Sequence, residues 1–154
     1  SGDVVVIDGS AVYPASCLGS MAVSLASQLG VVGVVVWGAV TGVAGIRSAD
    51  IPVWARGGTT LTGHHRVETI EINGPIGIQG VRVEPGDVIV ADDSGVTVVP
   101  LPLAEQVLEC AREKKESGSG FRALLQEGAD RETLRSELAK LMVALMHRSI
   151  DASS

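Results

Sequence analysis

Two glycine-bearing turns, LGSMA and WGAVTGVAGIR, carry the residue types in this sequence that are best suited to chemistry. Each follows an apolar run typical of a buried strand and precedes an apolar pattern of helical period. A helix that starts at such a turn leaves its first backbone N–H groups without intrahelical acceptors, and a glycine lets an anion approach them. The turns therefore predict a site for a small carboxylate or an enolate oxygen, with these candidate binding residues: Gly19, Ser20, Met21, Ala22, Trp37, Gly38, Thr41 and Gly42.

Ordinary strand-to-helix connections carry the same glycines, so glycine spacing alone does not separate a binding site from a structural turn. If the two strands are neighbours in the sheet, the turns converge, and a pocket lined by Met21, Trp37 and Val40 would suit an apolar acid. Neither turn matches GxGxxG or GxxxxGK[ST], so the sequence does not indicate a dinucleotide or P-loop nucleotide.

Other polar clusters have simpler explanations than catalysis. His64 and His65 could bind metal or move a proton. In an extended chain, however, adjacent side chains point in opposite directions, so we interpret both as exposed loop histidines. Asp92 and Asp93 stand in a D-D-S-G turn that turn propensity explains. No Ser-His-Asp triad can be assigned from spacing, because serines are too numerous.

The composition argues against several classes of partner and reaction. The 154 residues carry a net charge of −6 with a pI near 5.0 and few aromatics, so neither nucleic acid nor an anionic membrane is expected. The sequence contains no run of about 20 apolar residues, which a membrane span would need. Its strand-like opening does not indicate a signal peptide. Every lysine lies beyond residue 100, which disfavours a Schiff-base mechanism in the body of the chain. Cys17 and Cys110 lack CxxC spacing, which indicates a reducing, cytoplasmic compartment.

The first half of the sequence alternates strand and helix patterns. This order predicts an α/β fold with a parallel or mixed buried sheet. The predicted elements are strand 3–8, helix 19–29, strand 31–37, helix 43–49 and strand 53–55. The first helix places Met21, Ala22, Leu25, Ala26 and Leu29 on one apolar face, and Gly30 occupies the position of a C-cap glycine. No charged residue occurs between Gly9 and Ile46, which we interpret as a core buried in part by a second subunit.

The second half changes character twice. Alternation predicts a half-exposed strand at 67–72, and strands follow at 76–83 and on both sides of the turn at 92–95. From residue 101 the pattern is helical and charged: a helix at 102–117, a flexible SGSG break, a short helix at 121–127, and a helix at 133–148 with leucines at 134, 138, 141 and 145. We therefore divide the chain into an α/β core at 1–115 and a helical C-terminal extension at 116–154.

The succession GDVVVIDG, LGSMA, GVVGVVVWGAV, IPVWARG and INGPIGIQGVRVEPGDVIVADDSGVTVVP resembles the RraA-like group, which includes 4-hydroxy-4-methyl-2-oxoglutarate aldolases. The resemblance covers residues 2 to 115. It implies a swivelling β/β/α-type fold assembled as homo-oligomers, trimers or hexamers, with sites between subunits. It also implies one of two functions: a metal-dependent lyase acting on pyruvate-like acids, or a regulator that binds ribonuclease E or helicases.

This sequence departs from the family pattern at the turns. The metal-dependent enzymes it resembles carry an Arg-Asp pair where Thr41 and Gly42 stand, and an acidic residue where Ser20 stands. We therefore expect no divalent metal such as Mg²⁺ and no standard aldolase activity. Because family sequences normally carry a segment ahead of the GDVVVIDG strand, we expect this chain to be a divergent member that lacks it. Two hypotheses remain open: a metal-independent lyase- or cyclase-type enzyme for a carboxylate or apolar acid, and a non-catalytic oligomeric scaffold or regulator.

Overall fold

The computed structural model describes residues 2–151, with side chains described from 2 to 143. Two compact units divide the chain, Ser1–Leu101 and Pro102–Ser154. The boundary expected after residue 115 falls inside a helix of the second unit, so that unit takes in more of the chain than the predicted extension. Each unit is described by itself.

A parallel sheet forms the centre of the first unit. Its strands are β1 (Val4–Asp8), β2 (Ser16–Gly19), β3 (Gly33–Thr41) and β4 (Val53–Gly58). All pair in parallel with β3: β1 runs beside its first half, β2 beside its second half, and β4 beside both. A short 3₁₀ helix, Ser10–Val12, lies between β1 and β2. Because β3 has neighbours on both sides, its sequence reads as the nearly continuous apolar run typical of a buried parallel strand.

Two helices cover one face of this sheet. The first, α1 (Ser20–Gln28), ends at Gly30, whose φ of 87° is left-handed. There the N–H of Gly30 donates to Ser27 and that of Val31 to Ala26, which closes a Schellman motif and confirms the predicted cap. The second helix, α2 (Val43–Arg47), is a single turn. The core beneath them consists of Val23, Val34, Val36, Val40 and Ile51.

The predicted apolar face of α1 is wrong. Val23 is fully buried, whereas Met21 is 86% exposed, Leu25 56% and Leu29 74%. The crossover from β2 through α1 to β3 fixes which side of the helix meets the sheet. On that side stand Val23 and Ala26, whose short side chains let the helix approach β3 closely. The larger apolar residues project away from the sheet.

Two antiparallel hairpins complete the first unit. They are β5 (Ile76–Ile78) with β6 (Val81–Val83), and β7 (Val88–Asp92) with β8 (Gly95–Val99). Gln79 and Gly80 both have positive φ, as a two-residue I′ turn requires. The predicted continuous strand at 76–83 is therefore a hairpin. Trp54 of β4 anchors the second hairpin, because its indole Nε1–H donates to the backbone oxygen of Asp92 at 2.9 Å.

The predicted strand at 67–72 is absent. The segment is irregular, and Ile70 is 97% exposed. Its alternation of apolar and polar residues suits a half-buried strand, but no neighbouring strand among the described residues pairs with it. An alternating pattern therefore does not form a strand unless the edge of a sheet is available to pair with it.

The second unit is a pair of helices, α3 (Ala104–Gln126) and α4 (Arg131–Asp151), preceded by a 3₁₀ turn at Leu101–Leu103. The predicted SGSG break is wrong, because α3 continues through it. The hydroxyls of Ser117 and Ser119 donate back to carbonyls of the preceding turn, which satisfies them inside a helix. Gly128, with a φ of 71°, ends α3 as predicted.

Asp130 caps the next helix. Its carboxylate accepts the N–H groups of Glu132 and Thr133 and the hydroxyl of Thr133. These hydrogen bonds lower the pKa of Asp130, and the bond from the Thr133 hydroxyl has the largest effect. Of the predicted leucine stripe, Leu134 and Leu141 are partly buried and Leu138 is exposed, while the side chain of Leu145 lies outside the described residues.

These elements confirm the predicted fold class, an α/β core followed by helices. Among the described residues, no helix combines the length and apolar character that crossing a bilayer needs.

Candidate functional site

The two glycine-bearing turns meet in the structure. Strands β2 and β3 are parallel neighbours, and Gly19 is the register partner of Thr41. Both strands therefore end at the same edge, and α1 and α2 begin side by side there. We call residues 19–22 and 41–43 the turn site. A crevice outside the carboxyl ends of parallel strands is the usual place for a ligand in an open α/β sheet.

Gly42 determines the shape of the turn site. Its φ of 72° is left-handed, and a Cβ atom at this position would lie 2.8 Å from Ser20 Oγ. A Cβ on Gly45 would lie 2.8 Å from Ser20 Cβ. Ser20 is thus packed against the first turn of α2, and only glycine fits at position 42 without strain or displacement.

The donors at the turn site are neutral. Gly19 provides no side-chain cap for α1, and Met21 and Ala22 are exposed at the start of that helix. The first N–H groups of a helix lack intrahelical acceptors, so an anion can reach donors there. An open groove of about 620 Å³ adjoins the site, and threonines make up half of its lining. It is lined by Thr41, Gly42, Val43, Gly58, Thr59 and Thr60.

Sequence reasoning missed Thr59 and Thr60. The N–H of Thr59 donates to the carbonyl of Val40 at 2.9 Å, which holds the chain leaving β4 against the end of β3. The GGTT run directly after the IPVWAR segment was the available signal. The predicted β4 ends at residue 55, which places the threonines away from the strand end, whereas the observed strand continues to Gly58.

Strand β3, predicted to end at Trp37, continues to Thr41, so Trp37 and Gly38 both stand within it and outside the turn. At roughly 3.3 Å per residue, Trp37 lies about 13 Å and Gly38 about 10 Å before the end of the strand. Gly38 is buried, and a Cβ there would lie 2.9 Å from Cys17 Sγ. The lack of a side chain at this position allows the strands to pack closely. The expected pocket of Met21, Trp37 and Val40 does not form either, because Val40 lies in the core and Met21 faces solvent.

Cys17 is poorly suited to act as a nucleophile. Burial, and secondarily the charge of Asp8, raise the pKa of its thiol, although a backbone hydrogen bond at Ala39 opposes them. Gly9 and Gly38 pack directly against its sulfur atom. A thiol with a raised pKa holds little of the reactive thiolate at neutral pH.

The turn site offers no carboxylate to a hard divalent cation. Magnesium and calcium prefer carboxylate oxygens, and here Ser20, Thr41 and Gly42 offer only hydroxyl and backbone oxygens. Position 42 has no room for a carboxylate side chain unless Ser20 moves. Throughout the described residues, no group of three or more His, Cys, Asp or Glu side chains could hold a metal ion.

The two histidines are arranged differently from the prediction. Their ring centroids are 3.9 Å apart, so the side chains do not point in opposite directions. The loop is a turn and not an extended segment: His65 has a φ of 59°, and the N–H groups of Arg66 and Val67 both donate to the carbonyl of Gly63. Both histidines are exposed, as expected.

Comparison with known proteins supplies the family. The model of the RraA-like family, described as Aldolase/RraA, matches residues 1–98. The chain belongs to the RraA-like family. A Halalkalibacterium halodurans protein named "Putative 4-hydroxy-4-methyl-2-oxoglutarate aldolase" is 37% identical over 114 residues, which cover 74% of this chain and 54% of that protein. The chain thus spans just over half the length of this relative.

Solved structures agree with this assignment. A protein from Pseudomonas syringae pv. tomato superimposes with a TM-score of 0.82 at 27% identity, covering 88% of this chain and 68% of that one. Streptomyces coelicolor RraAS2, described as an unusual member of the RNase ES inhibitor RraA protein family, gives a TM-score of 0.73 at 29% identity, covering 79% of this chain and 62% of its own. The RraA-like family therefore includes both aldolase-type and regulator-type members, and the predicted resemblance is confirmed.

Proposed function

We propose that this RraA-like chain binds a small carboxylic acid at the turn site without a divalent metal, in the cytoplasm. In this proposal the chain is a divergent, lyase- or cyclase-type enzyme and not a standard magnesium-dependent aldolase. The observation that carries it is the convergence of two uncapped helix starts at Gly19 and Gly42, where Gly19 pairs with Thr41.

The donor set supports a carboxylate more than a multivalent anion. Backbone N–H groups at a helix start attract negative charge, and the hydroxyls of Thr41, Thr59 and Thr60 add neutral donors around the same groove. No arginine or lysine lines that groove, so nothing there offsets the charge of a phosphate. Such neutral donors can also stabilise an enolate oxygen as it develops, which is the step that lyases of pyruvate-like acids share.

A non-catalytic scaffold or regulator is the second candidate. One observation favours it: no ionisable side chain lines the groove at the turn site, so the described residues provide no general base or acid there. The outer face of α1 provides another, because its apolar residues at 21, 25 and 29 are exposed. An uncharged apolar stripe of this kind is typical of an interface core.

A ligand-stabilisation experiment tests the proposed site. Pyruvate, oxalate and larger apolar acids are added to the protein with and without Mg²⁺, and the unfolding temperature and the Kd are measured. At a hundredfold excess over Kd, a bound acid raises the free energy of unfolding by about 2.7 kcal/mol. We expect at least one acid to stabilise the chain equally with and without Mg²⁺.

Thr41→Val locates the binding. Valine keeps the branched shape and removes the hydroxyl, and loss of one hydrogen bond to a charged ligand weakens binding by about tenfold. Thr97→Val, at an exposed position of β8, is the matched control and leaves the Kd unchanged. Stabilisation that depends on Mg²⁺ contradicts a metal-free site, and no response to any acid favours the scaffold.

We also propose that the chain is a homo-oligomer, a trimer or hexamer, that buries the outer face of α1. Met21, Leu25 and Leu29 stand at successive helical turns on that face, and the uncharged stretch from Gly9 to Ile46 leaves it without charge. Interface cores are depleted of charge and enriched in methionine. If so, ligands at the turn site bind next to a subunit contact, because α1 begins at that site.

A single charge tests the assembly. Leu25→Glu places a carboxylate in the middle of the stripe and is expected to convert the oligomer to monomers at micromolar concentration, measured by sedimentation velocity. Val90→Glu, exposed to a similar degree on β7, is the control and keeps the wild-type mass. A monomeric wild type, or equal masses for both variants and the wild type, would show that α1 is not the interface.

A further inference from the structure

Arg56 occupies an unusual position in the first unit. Its guanidinium carbon lies 4.4 Å from the ring centroid of Tyr13 and 4.8 Å from that of Trp37. Both distances are within the range of cation–π attraction. We call Tyr13, Trp37 and Arg56 the arginine cluster. The structure thus holds the guanidinium in place through ring faces and leaves its N–H groups uninvolved.

Those N–H groups have no acceptor among the described residues. The hydrogen bonds and ion pairs there include none to Arg56, and its side chain is exposed. The other arginines of the first unit differ: Arg66 donates to backbone carbonyls, Arg82 pairs with Glu84, and Arg47 ends α2. Only Arg56 among these four is fixed by two aromatic rings.

A fixed guanidinium with free donors is suited to a planar anion. Its fork matches a carboxylate through two parallel hydrogen bonds, and less rotamer entropy is lost on binding because the side chain is already oriented. The adjoining rings of Tyr13 and Trp37 add apolar surface. Tyr13 is 47% exposed, so part of its ring is available for contact.

The surrounding charge restricts the anion. Asp8 is the register partner of Trp37, and its carboxylate already accepts the N–H of Ser10 at 3.0 Å. Arg56 is thus a single positive charge that contacts Trp37, whose register partner Asp8 is negative, in a chain of net charge −6. A multivalent phosphate is repelled more strongly than a monovalent ion under these conditions.

We propose that the arginine cluster is a second anion site, distinct from the turn site, that binds a monocarboxylate bearing a flat apolar group, such as an aromatic acid. It is formed around Trp37, which stands four residues before Thr41 on β3. The carboxylate pairs with the Arg56 guanidinium, and the ring of the acid packs beside Tyr13 and Trp37.

The two tryptophans allow a direct test with sodium benzoate as the probe. The indole N–H of Trp54 is bonded to the Asp92 carbonyl, so in a ¹H–¹⁵N spectrum it serves as an internal reference. Titration of benzoate is expected to shift the Trp37 indole signal and not that of Trp54, with a Kd in the millimolar range of about 1–10 mM, typical of so small a ligand. No shift of the Trp37 signal overturns the proposal.

Three variants decide what causes the shift. Arg56→Gln is expected to weaken benzoate binding at least about tenfold, since a charge-assisted hydrogen bond is lost. Arg82→Gln makes the same change in net charge elsewhere and should leave the Kd unchanged, and so should Thr41→Val. Equal effects of Arg56→Gln and Arg82→Gln on the benzoate Kd reveal non-specific electrostatic attraction of the anion. Loss of the Trp37 indole shift in Thr41→Val places benzoate at the turn site. Either result overturns the proposal.

A further comparison separates binding from a purely structural role. If Arg56 only supports the packing of Tyr13 and Trp37, Arg56→Gln lowers the unfolding temperature and leaves the benzoate Kd unchanged, which overturns the proposal. Asp8→Asn removes the neighbouring charge and is expected to tighten benzoate binding about twofold to fivefold. Weaker binding in that variant also contradicts the proposed site, because Asp8 would then assist the anion.

Discussion

Gly63→Ala is expected to lower the free energy of unfolding by about 3 kcal/mol, because the added methyl group meets a backbone atom. A Cβ at this position falls well inside contact distance of the carbonyl oxygen of Ser16, and 3.2 Å from Val67 Cγ2. Ser16 is buried at the start of β2, so its carbonyl cannot turn away as a flexible side chain would.

One backbone hydrogen bond holds the same loop to β2 and two others close the loop on itself, which makes relief of the contact costly. The N–H of Ser16 donates to Leu61 at 2.9 Å, and the carbonyl of Gly63 accepts from Arg66 and Val67. Displacing the loop breaks the first bond and exposes Ser16. The loop also begins at Thr59 and Thr60, so we expect the variant to weaken acid binding at the turn site together with stability.

Denaturant unfolding at 25 °C measures the effect, and Gly77→Ala is the matched control. Gly77 is a strand glycine of β5 at ordinary φ, and a Cβ there meets nothing within 4 Å. The control should stay within about 0.5 kcal/mol of the wild type. If both alanine variants behave alike, the loop does not pack against β2 as described.

The core of the fold could be predicted from the sequence because its residues carry strong local patterns. The valine runs of β1 and β3 indicate buried parallel strands, and Gly30 indicates a helix end, which its φ of 87° confirms. The convergence of the two turns required only that β2 and β3 be neighbours, and the structure pairs Gly19 with Thr41.

The errors arise where the surroundings of a segment, in the chain or in space, override its own pattern. Residues 67–72 have strand periodicity and no strand to pair with, and the SGSG segment forms helix because its neighbours on both sides favour helix. The glycine at position 38 suggests a turn, but in the structure it allows β3 to pack closely against Cys17. Arg56 gave no signal at all, since the nearness of Tyr13 and Trp37 depends on chain segments far apart in sequence.

Val23→Ala tests the orientation of α1, the largest of these corrections. Val23 is fully buried against a core that includes Val34 and Val36, and its truncation removes two methyl groups and leaves a cavity. We expect a loss of about 2.5 kcal/mol in the free energy of unfolding. Leu29→Ala removes more apolar volume from the same helix, yet Leu29 is largely exposed, so a change within about 0.5 kcal/mol is expected.

The two variants are compared by denaturant unfolding in the Leu25→Glu background, which is expected to be monomeric, so that the difference reports folding and not assembly. The original sequence pattern, with Leu29 inward and Val23 outside the apolar face, predicts the opposite order of effects. A larger loss for Leu29→Ala would therefore reverse the assigned face of α1. It would also remove the exposed stripe on which the proposed subunit contact depends, because Met21 and Leu25 lie on the same side as Leu29.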